Sequence, residues 1–466
     1  MPDWFQKVFE CKENDPNRDK KIKLVTRGKK KFIKTKNYEY LVGDFIVDSL
    51  ENIRKDAKRK ALSYLQMRKN RLPFDNIFRV LLLENIEIME EMNYLINENA
   101  CFQVASQTNC LEHPNKNEGP EKGITKYKDD HTQGPACAIA AAAGTYYRNY
   151  FCMPGGKPQT EDNQINTLSF LEEEIENECH ENKYNGEACE YNEYFSIQNG
   201  YITIDLGQRI ELEDLSYSQD YRNTDGNYQR KIVDKISVGV MRETEVIIGG
   251  KLTSMKHFKY EPKIEKKFKV TQIFCSAVNL DVQKNGGNGS YPESTEFLAQ
   301  AILTAQYEAT LWIAVLNAIK TGCNAVYLTL VGGGVFKNPT DMIKESIENA
   351  ILEIQKIKFP LNVYIVHYED VKDKNFYELE KLSYDFDRNK HIYFDDDMNE
   401  VDDDNLNISI KELYSKIDKN YTKLDKLTKK VNKRVKNSSG PITFSSKQVK
   451  PLKKCGEGLD KMIDTI

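Results

Sequence analysis

The chain has 466 residues, 39% hydrophobic and 30% charged, with a formal net charge of −4 at pH 7. This composition excludes collagen-like, mucin-like and wholly disordered chains. The near-neutral balance excludes the broad basic footprint of a dedicated nucleic-acid binder. At roughly 150 residues per domain, the length predicts about three units, or one large elaborated domain with extensions, and a core that needs no disulfide staple.

The cysteines number 10 and are scattered, with no CxxC pair of the kind a structural zinc site wants. Cys179, His180 and Cys189 come nearest, and all ten are read as reduced thiols of a cytoplasmic protein. The N-terminus carries no apolar h-region, so no secretory signal is expected. The longest apolar run, residues 136–143, is too short to span a bilayer.

Along the chain, the first 70 residues are mixed and Lys-rich. A short strand is predicted over 32–40 and a helix over 45–65, capped by Asp48 or Ser49, with Leu50, Ile53, Ala57 and Ala61 at helical spacing. Residues 78–89 form an apolar run ending in a charged helix. Residues 101–109 predict a buried strand that runs into a long loop over 110–133. A small-residue helix follows over 134–144, and a charged helix is centred on 170–175. Residues 194–204 alternate on both sides of Asn199-Gly200, which signals a hairpin. Further strands are predicted over 232–248 and 268–280. The helix over 296–320 is apolar nearly all round and must therefore be sandwiched.

The pattern then becomes α/β. A continuous apolar strand over 325–331 leads into a glycine loop, Gly332 to Pro339, and an amphipathic helix over 340–357. Asn338 is the expected cap, with Pro339 at the first helical position. The next strand covers 361–367. Past Lys374 the composition shifts to an acidic run over 395–404. Ile410, Ile417, Leu424 and Val431 then recur every seven residues, with Leu413 and Leu427 between them, ahead of a basic stretch over 429–436 and a tail expected to be disordered.

Two glycine-bearing turns precede helices, His131-Thr-Gln-Gly-Pro-Ala136 and Gly332 to Phe336. Each would aim backbone N–H groups at an anion from the positive end of a helix dipole, and two that face each other suggest a diphosphate clamp. No GxGxxG follows the first strand and no GxxxxGK[ST] is present, which disfavours a Rossmann dehydrogenase and a P-loop.

The segments FQVASQTNCLE, DDHTQGPACAIAAAAGTYYRNYF, VTQIFCSAV, YEATL and LTLVGGGVF resemble, in matching order over roughly the first 370 residues, the arginine-specific macrodomain ADP-ribosylhydrolases. That group is typified by the bacterial effector MavL and its eukaryotic relatives. The resemblance implies an α/β core with a mixed sheet flanked by helices. It divides the chain into an N-terminal extension over 1–95, the macrodomain-like core over 96–372 and a charged C-terminal extension over 373–466. It implies removal of ADP-ribose from arginine side chains of a modified protein, ubiquitin being one candidate, with no metal, no cofactor and an ordered water as nucleophile. It places Asn109 near the distal ribose and Gln133, Gly134, Pro135 and Ala136 in the first loop. Gly332, Gly333, Gly334, Val335 and Phe336 would wrap the diphosphate and distal ribose, and Tyr368 would stack on adenine. Lys337 stands where the family often has glycine, and the family's adenine-binding Asp has no assignable position.

Cleaving an N-glycosidic bond at ribose C1″ passes through an oxocarbenium-like state, which a nearby carboxylate stabilises. The candidates are Asp130 with its neighbour Asp129, Glu112 and Glu308. Asp130 is equally a helix cap, Glu112 a partner for a loop lysine, and Glu308 half of a buried ion pair. Cys137, at a helix start, reads as packing more readily than as a nucleophile. His113 and His131 read as loop residues, and Tyr146, Tyr147 and Tyr150 as core or rim. The alternative to an enzyme is a macrodomain that binds ADP-ribose without cleaving it. A scaffold with a degenerate pocket and an enzyme for another ADP-ribosyl bond are more distant readings.

Overall fold

The computed structural model describes residues 3–67, 72–84, 97–130, 132–181, 194–204, 232–252, 258–262, 267–281, 293–394 and 400–401. The chain divides into two units, Met1–Ile392 and Tyr393–Ile466. Of the second, only an antiparallel pairing of Tyr393–Phe394 with Glu400–Val401 is described. The expected charged helix at the end of 78–89, His131, Cys189, the side chains of Cys179 and His180, most of the acidic run and the heptad positions lie outside the described residues.

In the first unit, β1 (Lys23–Arg27), β2 (Lys30–Lys34) and β3 (Glu39–Leu41) form a small antiparallel sheet. The main sheet contains β4 (Asp44–Ser49), β5 (Ile77–Leu83) and β6 (Cys101–Ala105). A separate hairpin, β7 (Ser196–Gln198) and β8 (Tyr201–Thr203), follows, and then β9 (Ser237–Glu245). After the hairpin β10 (Ile248–Leu252) and β11 (Phe258–Pro262) come β12 (Lys269–Cys275), β13 (Ala325–Thr329), β14 (Asn362–Val366), β15 (Tyr384–Asp385) and β16 (Lys390–His391). The order in the nine-stranded sheet is β16-β15-β5-β14-β13-β6-β12-β9-β4. The five central strands, β5 to β12 in that order, are parallel, and the strands on both flanks are antiparallel. This is the mixed α/β sheet flanked by helices that the resemblance implied.

Side chains alternate between two cores. Val326, Leu328, Val363 and Ile365 face one, while Tyr327 and Val366 face the other, the period of two that a pleat dictates. The first core lies under α2 (Leu50–Met67), α6 (Glu293–Thr321) and α7 (Thr340–Gln355). The second lies under α1 (Trp4–Phe9), α3 (Gln133–Ala140) and α4 (Ala142–Tyr150). One further helix, α5 (Ser169–Glu181), packs Leu171 and Ile175 on the first core. α6 touches both α2 and α7. It is the one described helix long and apolar enough to cross a membrane, but 83% of its most apolar window is buried inside the protein, so it is the sandwiched core helix its composition predicts.

Three expectations shift. Residues 44–49 are an edge strand and the helix begins at Leu50, because β4 pairs with β9 and Ser49 Oγ then accepts from Asn52 N at 3.3 Å. The strand expected over 32–40 is the β2–β3 hairpin. The division at 95 and 372 does not follow the fold: β4, β5 and α2 belong to the main sheet and its cover, and β15 and β16 extend it past residue 372. The Asn199-Gly200 hairpin forms with both residues at positive φ, 47° and 80°, the geometry of a type I′ turn.

Candidate active site

The site begins as a gap in the sheet. β6 and β13 pair only at Val326–Cys101 and Tyr327–Phe102, after which the two strands separate. The backbone groups this leaves unpaired are met by side chains. Gln133 Oε1 accepts from Ala105 N at 2.8 Å, and Gln133 Nε2 donates to Gln103 O at 3.2 Å. Gln103 Oε1 accepts from Thr329 N at 3.1 Å. Two glutamine amides thus replace the missing ladder bonds. Beyond the gap, at the carboxyl ends of the parallel strands, opens a cavity of about 650 Å³. Crevices at this place are where open α/β sheets bind ligands.

One wall is the segment after β6. Asn109 Oδ1 accepts from Leu111 N at 3.0 Å, and Cys110 takes a positive φ of 58°, so the chain doubles back and returns Glu112 to the strand end. Glu112 N donates to Tyr127 Oη at 2.9 Å. The Glu112 side chain lines the cavity, its residue is 3% exposed, and its Oε1 has no partner. Burial holds its carboxyl well above the ordinary value, against the pull of Arg148 and Ser106. Arg148 is fully buried, donates from Nε to Cys110 O at 2.9 Å and leaves Nη1 without a partner; burial lowers its pKa.

The second wall is the start of α3. Thr132 occupies the cap position without a side-chain cap bond, so the first-turn N–H groups are not closed off by it. Asp130 Oδ1 accepts from Thr132 N at 2.9 Å, and Asp130 also lines the cavity. Gly134 is required here, because a Cβ would come closer than 3.0 Å to both the Ala105 carbonyl oxygen and Glu112 Oε2.

The third wall is the loop from Gly332 to Phe336. Gly332 has φ 77°, and a Cβ on it would lie 2.7 Å from both Ala277 Cβ and Asn338 Nδ2. Asn338, expected as a helix cap, instead donates to Val278 O at 2.9 Å and Gly332 O at 3.3 Å and so ties the loop shut; Pro339 takes the cap position. Lys337 adopts φ 57°, a left-handed conformation that glycine accepts more readily than lysine. The fourth wall is the end of β14, with His367 and Tyr368 followed by Glu369, Asp370, Lys372 and Asp373. Lys372, the one lysine or arginine on the described lining, is 2.6 Å from Glu369. An anionic ligand would therefore draw chiefly on backbone N–H groups and neutral side-chain donors.

Of the expected residues, Glu112, Asp130, Gln133, Gly134, Pro135, Gly332, Gly333, Gly334, Val335, Phe336 and Tyr368 meet on this one cavity. Four do not line it. Asn109 is fully buried, with its amide donating to Gln164 Oε1 at 2.7 Å, so it shapes the turn. Ala136 is buried behind the helix start. Glu308 is 1% exposed on α6, 2.7 Å from Arg54 Nε and 3.0 Å from Trp312 Nε1, the buried ion pair that was its alternative reading. Asp129 is exposed and off the lining. Cys137 is buried beside Gln133 Nε2 at 3.3 Å. His113 is buried, edge-on to Tyr127, with its pKa lowered to about 4 by burial. Tyr146 packs in an aromatic cluster with Phe5 and Phe9. Tyr147 accepts from Lys31 Nζ at 2.7 Å, and Tyr150 donates to Glu13 Oε1 at 2.6 Å. Sequence reasoning missed Ser106, Gln107, Tyr201 and His367 on the lining. The Asn-Gly hairpin was the one available signal for Tyr201.

No protein-family model and no curated protein matches the chain. Among solved structures, it is similar to the poly(ADP-ribose) glycohydrolase of Thermomonospora curvata bound to ADP-HPD, at 9% identity and a TM-score of 0.31, over 72% of this chain and 83% of that one. It is also similar to the poly(ADP-ribose) glycohydrolase of Deinococcus radiodurans in complex with ADP-ribose, at 10% identity and a TM-score of 0.33, over 72% and 91%.

Proposed function

We propose that the protein is an ADP-ribosylhydrolase that binds ADP-ribose in this cavity and removes it from arginine side chains of modified proteins. The observation that carries the reading is Glu112, a buried carboxyl with a free oxygen, set between an uncapped helix start and a glycine loop on one cavity. A module that only holds ADP-ribose needs the two turns but has no use for a buried acid with a free oxygen.

In this reading the N–H groups of α3 and of the glycine loop take the diphosphate. The lining offers a diphosphate few cations, which suits a substrate that brings its own. An arginine-linked substrate carries a guanidinium, and a positive charge beside Glu112 favours its ionised form, which then pairs with the guanidinium N–H groups. As the bond from C1″ to the guanidine nitrogen breaks, the same carboxylate stabilises the developing oxocarbenium ion. Water supplies the oxygen that bonds to C1″, and one of its protons ends on the departing nitrogen. Asp130, on the same lining, is the group to orient that water.

The test is release of ADP-ribose from arginine-, glutamate- and serine-linked conjugates and from poly(ADP-ribose), beside calorimetry with free ADP-ribose. Modified ubiquitin is the first protein target to try. Release from arginine conjugates, slowed by Glu112→Gln and Asp130→Ala, is expected. Binding without release from any substrate would make the protein a reader, and release only from another linkage would overturn the arginine assignment.

A further inference from the structure

The Glu112 end of the cavity has one wall that this chemistry leaves without a role. Tyr201 stands on β8, and its hydroxyl donates to the carbonyl of His113, the residue after Glu112, at 2.7 Å. The same hydroxyl lies 3.5 Å from Gln107 Nε2. Across the cavity its ring meets that of Phe336 in the glycine loop, with centroids 6.0 Å apart and planes at 53°. Both rings line the cavity. The phenol is thus fixed at its polar tip and braced at its ring, on the same cavity as Glu112 and within reach of the electrostatic influence of that carboxyl.

We infer that Tyr201 is a specificity-determining residue, its ring the π face on which the guanidinium of an arginine-linked substrate rests while Glu112 takes the guanidinium N–H groups. The inference rests on the hydrolase reading above. A guanidinium is planar, with donors in its plane and a weakly hydrated face, so a site that holds it well supplies an in-plane carboxylate and an aromatic face. Glutamate- and serine-linked substrates place a neutral ester or ether at the same point. They gain nothing from the ring and leave Glu112 without a cation. Because both ends of Tyr201 are already held, little side-chain freedom is lost when the substrate enters.

The experiment measures kcat/KM for arginine-linked and glutamate-linked ADP-ribosyl peptides with the full chain as wild type, Tyr201→Phe and Tyr201→Leu. The affinity for free ADP-ribose and the unfolding midpoint are measured on each protein. The arginine-to-glutamate ratio is expected to hold in Tyr201→Phe, which keeps the ring, and to fall about tenfold in Tyr201→Leu, which loses it. An equal loss on both substrates in Tyr201→Leu would overturn the inference, and so would a fall in Tyr201→Phe as large as in Tyr201→Leu, since the His113 bond would then be responsible. If Tyr201→Leu does not fold, Tyr201→Trp restores a π face and must keep the ratio. A wild type that cleaves neither peptide overturns the hydrolase reading itself, and this inference with it.

Discussion

Gly134→Ala sets two effects of opposite sign against each other. Gly134 is the second residue of α3, and alanine in a helix is worth about 1 kcal/mol over glycine. The added methyl, however, would lie closer than 3.0 Å to the Ala105 carbonyl oxygen and to Glu112 Oε2, with the Ala105 carbonyl carbon at 3.1 Å. Overpacking costs about 1–3 kcal/mol, and the upper end applies because the obstacle is backbone of a central strand, which cannot rotate away. The net expectation is a loss of about 2 kcal/mol. Urea unfolding of the full chain, followed by the fluorescence of the buried Trp4 and Trp312, would show it as a midpoint lower by roughly 0.7 M at a slope of about 3 kcal/mol/M. Removing one of the two obstacles in the double variant Glu112→Ala/Gly134→Ala should return about 1 kcal/mol of coupling. A midpoint equal to or above wild type would refute the close seating of α3 on β6.

Three further outcomes are expected. Burial raises Glu112 above its unfolded value of 4.5, so its contribution to stability is present at low pH and is lost as pH rises from there; His113, lowered to about 4 from 6.5, contributes stability that is lost as pH falls from 6.5. The two slopes oppose each other between about pH 4.5 and 6.5, so Glu112→Gln should expose the histidine slope of up to about 1.4 kcal/mol per pH unit, read from urea midpoints across that window; a variant as flat as wild type would contradict it. Gly334→Glu should abolish binding of free ADP-ribose without unfolding the chain, since a Cβ there meets nothing within 4 Å, whereas Gly332→Ala should destabilise the loop through its φ of 77° and its contacts; calorimetry and thermal melts separate the two. Glu308→Ala should cost about 1.5–3 kcal/mol, because it removes the partner of Arg54 Nε while Asp234 keeps the rest of the guanidinium paired at 2.6 Å, and a variant that still folds should retain ADP-ribose affinity.

The parts of the fold that declared themselves in sequence are those where local pattern and tertiary environment agree. The strand from Ala325, the glycine loop and α7 read correctly because a parallel strand buried on both faces must be continuously apolar, and an amphipathic helix must follow to cover it. The Asn-Gly hairpin read correctly because two positive φ angles leave few residue choices. Residues 45–48 were absorbed into the neighbouring helix because an edge strand with one partner carries too few alternations to be separated from it. In the site, the two turns were visible as glycine patterns, but the side chains that finish it were not. Whether Glu112, Asn109 or Glu308 reaches the cavity depends on a positive φ at Cys110 and on Arg54, 254 residues from Glu308. Nothing local to an acid states its burial.

The gap between β6 and β13 has a consequence for motion. Ala105 N and Thr329 N lie outside the ladder that joins these two strands, yet each is bonded to a glutamine amide. Their hydrogen exchange therefore reports rotation of two side chains and not separation of the sheet. Gln133 is also the first residue of α3, beside the turn that would receive an anion. Occupation of that turn would hold Gln133 against β6 and slow exchange at Ala105 while the neighbouring ladder amides kept their rates. A single amide proton in the floor of the cavity would then act as a built-in gauge of whether the site is filled.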